Sequence, residues 1–399
     1  MTEPDEFIPI AKPRLGEEEE QAAARALRSG WVSQGPEVAA FEAEFAEFVG
    51  AEHACAVSSC TAALHLALLA VGINPGDEVV TVSHSFIATA NAVRYCGAIP
   101  VFVDIQPATF NMDPKQLEEA IGPRTRAILC VHQLGMPCDL QAILAVAKHR
   151  HLPVIEDAAC AIGSKILIEN DWQRIGRSHA DIACFSFHPR KVLTTGDGGM
   201  LTTSDAEFDR NFRRLRQHCM DVPDTVRHGA REIIFESYPE LGFNYRMTDI
   251  QAAVGRIQLR SIYDIVQKRR DLAERYRLLL SKLPDLGLPT EPEWARSNWQ
   301  SYCVRLADAE NQKSVMQKML DLGIATRRGV MCAHREKAYP RGTWNCNKLG
   351  DCDCSPQTCH RLKHSELAQD QGIVLPLFPQ MSAAQQDRVV DALRRSLAS

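Results

Sequence analysis

The most informative segment of the chain runs from residue 182 to residue 200 and reads Ile182-Ala-Cys-Phe-Ser186-Phe-His-Pro-Arg190-Lys191-Val-Leu-Thr-Thr-Gly196-Asp-Gly-Gly-Met200. It predicts a buried strand over Ile182–Ser186, because an apolar run is followed by a polar loop that contains glycine and proline. A lysine in a tight loop after a strand, beside Arg190, is expected to be partly desolvated and to have its pKa lowered, as a Schiff-base amine requires. A solvated loop lysine is the alternative interpretation of Lys191 taken alone.

Short strand patterns alternate with helical patterns upstream of this stretch, from about residue 50 onward. The further predicted strands are Ala54–Val57, Glu78–Val82, Ile99–Val103, Ala127–Val131 and Pro153–Glu156. This alternation is typical of an α/β fold with a mostly parallel, doubly wound sheet. Ligands bind at the carboxyl ends of the strands in such sheets, so the polar residues that follow each strand are the candidates for a site.

The C-terminal part of the chain has a different pattern. A long helical pattern runs from Asp249 through Leu280, a mixed segment begins at Tyr302, and a terminal helix is predicted near Ser382–Leu397. We therefore expect a large domain over residues 1–255 and a smaller α+β domain over residues 256–399, with a cysteine-rich insertion at about 340–362.

Composition limits the classes of function. The 399 residues are 45% hydrophobic and carry a net charge of −5 from scattered charges, so no footprint for nucleic acid or membrane binding is expected. The N-terminus is acidic and no segment approaches 18 consecutive apolar residues, which favours a cytoplasmic location. The expected partners are small molecules and a second copy of the chain.

Two further strand ends carry candidate residues. Ser58-Ser59-Cys60-Thr61 joins a strand to a helix, and is either a phosphate-binding helix start or a plain N-cap. Asp157 follows the strand Pro153–Glu156, and either holds a ring nitrogen protonated or caps a helix. Together with Lys191 these elements follow the order phosphate site, carboxylate, Schiff-base lysine, which is far more specific than any one of them.

With these residues the chain resembles the DegT/DnrJ/EryC1/StrS family of fold-type I enzymes that depend on pyridoxal 5'-phosphate (PLP), best known as nucleotide-sugar aminotransferases. The resemblance covers nearly the whole chain, and it rests also on residues 30–36 (Gly-Trp-Val-Ser-Gln-Gly-Pro), 83–91 (Ser-His-Ser-Phe-Ile-Ala-Thr-Ala-Asn), 131–135 (Val-His-Gln-Leu-Gly), 242–249 (Gly-Phe-Asn-Tyr-Arg-Met-Thr-Asp) and 375–379 (Leu-Pro-Leu-Phe-Pro).

The resemblance implies a role for each candidate in the large, PLP-binding domain. Lys191 would form the Schiff base, Asp157 would pair with the ring nitrogen, and Phe86 would stack on the ring. The phosphate would meet Ser59, Thr61 and Ser186, and Asn244, with Arg246 as a further candidate, would reach the phosphate of a neighbouring subunit in a homodimer with a shared active site. The chain departs from the family at two cofactor-binding positions, where Cys60 replaces a usual glycine and Cys160 a frequent glutamine.

The implied activity is transamination from an amino donor, expected to be glutamate, to a keto group on a sugar nucleotide or a related small ketone. His188 and His132 are expected to line the pocket or to play structural roles. A basic group is the candidate for contacting a substrate diphosphate, and its members are Arg327, Arg328, His334 and Arg335. A sugar dehydratase of the same family would have histidine in place of Lys191, and a non-catalytic member would have lost Lys191, Asp157 or Ser186.

The 14 cysteines divide into two groups. Nine are dispersed among apolar runs and are expected to be buried reduced thiols. The C-terminal group consists of Cys332, Cys346, Cys352, Cys354 and Cys359. The spacing C-x5-C-x-C-x4-C of its last four members matches neither a common zinc site nor a C-x-x-C redox pair, so we assign no metal and leave zinc, a disulfide and free thiols open.

Overall fold

The structure, a computed structural model, describes residues 7–222, 233, 235–283, 285–307, 312–347, 354–355 and 358–398. Its first half contains, in chain order, α1 (Glu17–Ser29), α2 (Pro36–Val49), β1 (His53–Val57), α3 (Cys60–Ala70), β2 (Glu78–Val82), α4 (Ala88–Tyr95), β3 (Ile99–Val103), α5 (Leu117–Ala120), β4 (Thr125–Val131), α6 (Leu140–Arg150), β5 (Val154–Asp157), β6 (Lys165–Ile168), β7 (Asp171–Arg174), β8 (Ile182–Ser186), β9 (Gly199–Thr203) and α7 (Ala206–Leu215).

Seven of these strands form one sheet in the order β1-β9-β8-β5-β4-β2-β3. Neighbouring strands are parallel except that β9 runs antiparallel to both β1 and β8. The predicted mostly parallel sheet is therefore confirmed, and the six predicted strands are present. Strand β9 was not predicted, because its glycine start reads as a continuation of the preceding loop.

Apolar helices cover both faces of this sheet. On one face α2 packs Phe41 and Phe45 against Phe185 and Phe187 of the β8 region. On the other face the buried residues of α3, including Leu64, contact the opposite sides of the same strands. Strands that are buried on both faces are continuous apolar runs, which is why these strands could be predicted from the sequence.

The second half contains α8 (Asp249–Arg260), α9 (Ile262–Leu280), β10 (Ala295–Arg296), β11 (Tyr302–Arg305), α10 (Gln312–Asp321), β12 (Arg327–Arg328), α11 (Lys363–Gln371), β13 (Gly372–Leu375) and α12 (Ala383–Leu397). The predicted helical pattern from Asp249 through Leu280 is divided into two helices at Ser261, where ψ is near 0°.

A second apolar core lies in this half of the chain. The strands β11, β13 and β12 form an antiparallel sheet, and α9, α10 and α12 share a buried cluster with it that includes Tyr276, Tyr302 and Leu393. The division at residue 255 stays a prediction, and this residue lies within α8. None of the described helices has both the length and the apolar character needed to cross a membrane.

Candidate active site at the carboxyl ends of the strands

The start of α3 forms the first wall of the site. Ser59 is the N-cap, and its side chain accepts a hydrogen bond of 3.1 Å from the backbone N–H of Ala62. The first N–H groups of a helix have no partner within it, so the start of α3, at Cys60 and Thr61, can receive an anion. Gly199 of β9 passes this turn so closely that a Cβ there would lie 2.5 Å from the Ser59 carbonyl carbon.

Asp157 ends β5 as a buried carboxylate. Its Oδ2 accepts a hydrogen bond of 2.7 Å from the Thr89 hydroxyl, and its Oδ1 accepts one of 3.2 Å from the backbone N–H of Ala159. Burial raises the pKa of Asp157, and the bond from Thr89 opposes this shift. A cationic group beside Asp157 would favour the ionised form of the carboxylate, and a protonated ring nitrogen is such a group.

Lys191 lies in the loop after β8 and is half-buried. Its Nζ is 3.1 Å from the sulfur of Cys160, which follows β5. Burial lowers the pKa of this amine, but Cys160, and then Cys60 and Asp157, more than offset burial, so the pKa is raised. The predicted lowering of the Lys191 pKa was therefore wrong: the prediction considered burial and Arg190 and missed the sulfur and carboxylate groups around the amine.

Two further predicted cofactor residues, Phe86 and Ser186, and the predicted pocket residue His188 have these positions. The Phe86 ring is 62% exposed, so an apolar face is open to a planar ligand. Ser186, the last residue of β8, is buried, and its hydroxyl accepts a long hydrogen bond of 3.5 Å from the backbone N–H of His188. The His188 ring turns back on its own loop, where Nδ1 accepts a bond of 3.2 Å from the backbone N–H of Arg190.

Sequence reasoning missed two side chains that support the segment after β5 and the loop that carries Lys191. Asn298 donates to the Cys160 carbonyl oxygen at 2.8 Å, and Gln300 donates to the Arg190 carbonyl oxygen at 2.9 Å. Asn298 also contacts the turn at Gly135, where a Cβ would lie 2.1 Å from its Oδ1. No local pattern marks Asn298 or Gln300, because they come from a loop about 100 residues after Lys191.

His132 has a structural position rather than a place on the pocket wall. It is buried, its Nε2 lies 2.8 Å from Glu156 Oε2, and its Nδ1 accepts from the backbone N–H of Cys138 at 3.0 Å. The backbone N–H of His132 donates a hydrogen bond of 3.1 Å to the Asp157 carbonyl oxygen. His132 therefore holds the end of β5, from which Asp157 projects.

The predicted basic group for a diphosphate is split in the structure. Arg327 and Arg328 are exposed on β12, and Arg328 forms an ion pair of 3.3 Å with Glu336. His334 is 1% exposed, and its Nδ1 and Nε2 lie 2.6 Å from the Ser83 hydroxyl and 3.0 Å from Glu366. Arg335 pairs with Asp370. The burial of His334 removes it from the groups that a substrate can contact.

Asn244 is exposed on a segment beside the helix start of α3. The neighbouring Tyr245 carbonyl oxygen accepts a hydrogen bond of 2.8 Å from the backbone N–H of Ser58. The backbone of Arg246 pairs with that of Val57 in an isolated antiparallel β-bridge. The predicted reach of Asn244 to a neighbouring subunit stays a prediction.

The chain is similar to known proteins over almost all of its length. The profile of the DegT/DnrJ/EryC1/StrS aminotransferase family matches residues 13–394. The spore coat polysaccharide biosynthesis protein SpsC of Bacillus subtilis (strain 168) is 38% identical over 393 residues, which are 97% of this chain and 96% of SpsC.

Solved structures agree with this match. The aminotransferase TlmJ from Streptoalloteichus hindustanus superimposes with a TM-score of 0.86 at 33% identity, covering 98% of this chain and 99% of TlmJ. The proposed sugar aminotransferase Spr1654 from Streptococcus pneumoniae, in its PLP form, has a TM-score of 0.86 at 26% identity and covers 98% of both chains. Spr1654 has also been solved in a PMP form. The predicted fold type is thus confirmed.

Proposed function

Because the chain belongs to the DegT/DnrJ/EryC1/StrS aminotransferase family, whose members depend on PLP, we propose that it moves an amino group from glutamate to the keto group of a sugar nucleotide or a related small ketone. The observation that carries this proposal is the position of Lys191, whose amine contacts Cys160 Sγ at 3.1 Å and interacts electrostatically with Asp157. A lysine amine and a buried carboxylate at adjacent strand ends are the two groups that amine transfer on PLP needs.

The residues present fit this cofactor. The start of α3 suits a phosphate, Asp157 suits a cationic ring nitrogen, and the exposed ring of Phe86 suits a planar aromatic group. Ser59 is engaged as the N-cap, so its contribution to the phosphate would be through the helix start that it stabilises. Thr61, Cys60 and Ser186 would complete the phosphate side.

When bound, PLP supplies an electron sink for the carbon that loses its proton. Lys191 Nζ would hold the cofactor covalently, and would afterwards act as the base and acid that moves one proton. Asp157 would keep the ring nitrogen charged, and the hydrogen bond from Thr89 fixes the carboxylate in the orientation for this role. Cys160 would hold the Lys191 amine in place between these steps.

The choice of a sugar substrate rests on the relatives and on charge. SpsC is named for polysaccharide biosynthesis, and Spr1654 is described as a sugar aminotransferase. On this chain the exposed Arg327 and Arg328 offer positive charge for a diphosphate. The choice of glutamate rests on the family resemblance alone.

A homodimer belongs to the same proposal. Large apolar side chains are exposed together in one segment, and they are Ile233, Phe235, Tyr238 and Leu241. Exposed apolar residues of this number favour a covered surface, and the segment leads directly to Asn244. In our proposal a second copy covers it, which brings Asn244 to the partner's phosphate site.

The visible absorption spectrum of the PLP-loaded protein tests the function. We expect a yellow protein that bleaches when glutamate is added without an acceptor, and whose colour returns with a keto-sugar nucleotide. Lys191→Ala is the control, because it should bind PLP without the lysine-linked colour and should not turn over. A yellow wild-type protein that glutamate leaves unchanged would contradict the donor, and one that no amino acid bleaches would contradict transamination.

A further inference from the structure

Three cysteines of the C-terminal group meet in the interior. Cys346, Cys354 and Cys359 are 6%, 5% and 1% exposed, and their sulfur atoms all lie within 4.8 Å of one another. His360 brings its Nδ1 to 3.6 Å from the sulfur of Cys354. Cys352 lies outside the described residues, and Cys332 points elsewhere, donating to the Ser365 carbonyl oxygen at 3.1 Å. Among the residues that the structure describes, the cluster thus consists of three sulfurs with an imidazole beside them.

The spacing of the sulfurs suits a shared cation. A Zn–S bond is about 2.3 Å, so two thiolates on a tetrahedral zinc ion are about 3.8 Å apart. The three sulfurs lie within 4.8 Å of one another, and the separation of Cys354 and Cys359, 2.8 Å, is shorter than that of two such thiolates, so that pair would move apart by about 1 Å to share the ion. A disulfide, with a bond of about 2.05 Å, would use two of these sulfurs and leave the third buried beside them. Zinc uses all three.

We propose that Cys346, Cys354 and Cys359 bind a structural zinc ion, with His360 as the fourth ligand. Three thiolates and one imidazole form a closed tetrahedral site of the kind that stabilises folds and does not take part in catalysis. Each thiol that binds gives up its proton to solvent, so three protons are released per zinc ion bound. No electron transfer is involved, and the sulfurs stay in their reduced state.

The location of the cluster indicates what the ion would hold together. The residue before Cys346 is Asn345, which extends the edge of the large sheet: its carbonyl oxygen accepts from the N–H of Phe102 at 2.7 Å, and its N–H donates to Pro100 at 3.0 Å. The sulfurs pack in one apolar cluster with Phe102 and Trp344. Zinc would therefore fix the cysteine segment against β3.

A short path of hydrogen bonds leads from the cluster toward the active site. The backbone N–H of Cys359 donates to Glu366 Oε1 at 2.6 Å, and the same oxygen lies 3.0 Å from His334 Nε2. His334 Nδ1 then meets the Ser83 hydroxyl at 2.6 Å, three residues before Phe86. The ion would thus stabilise Glu366 and His334, which hold the loop that carries Phe86, without contacting the cofactor or the substrate.

Metal analysis of the full-length protein, purified without a metal-binding tag or chelator, tests the proposal. We expect about one zinc ion per chain, and the double variant Cys354→Ser/Cys359→Ser should lose about tenfold or more of this content. The matched control is Cys332→Ala, which removes a buried thiol outside the cluster and should keep the zinc. His360→Ala should bind zinc more weakly, which would be measured as a faster loss of the ion to a chelator. These readouts do not depend on aminotransferase activity.

Cobalt substitution keeps the test decisive if the double variant does not fold. Wild-type protein reloaded with Co²⁺ should show the intense visible bands of a tetrahedral site and the near-ultraviolet bands of thiolate–cobalt bonds. A metal-free protein in which all 14 cysteines react with a thiol reagent after denaturation would overturn the proposal in favour of free thiols. A metal-free protein that lacks two reactive thiols until it is reduced would overturn it in favour of a disulfide.

Discussion

The candidate active-site loops, which carry Ser59, Asp157 and Lys191, differ from the C-terminal cysteine segment in how their residues are brought together. Ser59, Asp157 and Lys191 each follow a strand of one sheet, so the backbone alone places them at a common edge. Cys346, Cys354 and Cys359 follow no strand of that sheet, and they meet because the segment folds back on β3. The first group has a pattern that sequence can reveal, whereas the second depends on tertiary packing.

The largest expected effect belongs to the candidate active-site loops. Lys191→Ala removes both the covalent attachment and the group that moves the proton, so turnover should fall by about 10⁴-fold or more. The measurement is the rate of amine formation in the presence of saturating PLP. Because Lys191 is half-buried and lies in a loop, the thermal unfolding midpoint should change little. Retention of full activity would refute the assignment of this lysine.

This difference explains why some features of the molecule could be predicted from the sequence and others could not. The strands were predictable because they are apolar runs with polar residues after them, as in Ile182–Ser186 before Lys191. The raised pKa of Lys191 was not predictable, since it depends on Cys160 and Cys60, which approach from other strand ends. Likewise, nothing local indicates that His334 is buried, because its partners Ser83 and Glu366 are 251 and 32 residues away.

The second prediction compares a buried and an exposed member of the predicted basic group. His334→Ala removes a buried ring and its side-chain hydrogen bonds to Ser83 and Glu366, which should lower the free energy of unfolding by about 2–4 kcal/mol. Arg327→Ala, on the exposed strand β12, should leave stability within about 0.5 kcal/mol. Under our functional proposal it should instead raise the KM for a diphosphate substrate. Denaturant unfolding and steady-state kinetics separate the two.

The opposite results would contradict the assignment of His334 as structural and Arg327 as a substrate contact. If His334→Ala left stability unchanged but raised the KM, the histidine would contact substrate and its burial would not describe the working enzyme. If Arg327→Ala changed neither quantity, the diphosphate site would have to lie elsewhere on the chain.

The third prediction concerns the close approach at the phosphate side. Gly199→Ala places a Cβ 2.5 Å from the Ser59 carbonyl carbon and 2.7 Å from the Cys60 nitrogen, both backbone atoms that cannot swing away. We expect a loss of about 1–3 kcal/mol in stability and weaker PLP binding, because the start of α3 must shift. Gly16→Ala is the control, since its nearest contact is a glutamate side-chain oxygen at 3.7 Å. Equal PLP affinity in both variants would argue against a phosphate at α3.

The smallest effect is expected at Thr89, whose hydroxyl supports Asp157 with a bond of 2.7 Å. Burial raises the pKa of Asp157 and the Thr89 bond lowers it, so Thr89→Val should raise this pKa further. If the ionised carboxylate is the active form, activity is lost as the pH falls through that pKa, and the acid limb of the pH profile of kcat/KM should move to higher pH. Thr89→Ser restores the hydroxyl and should restore the pH profile, which a general loss of stability would not do.

An acid limb that stays in place in Thr89→Val would mean that another group controls it, and the role of Asp157 would then have to be tested directly with Asp157→Asn.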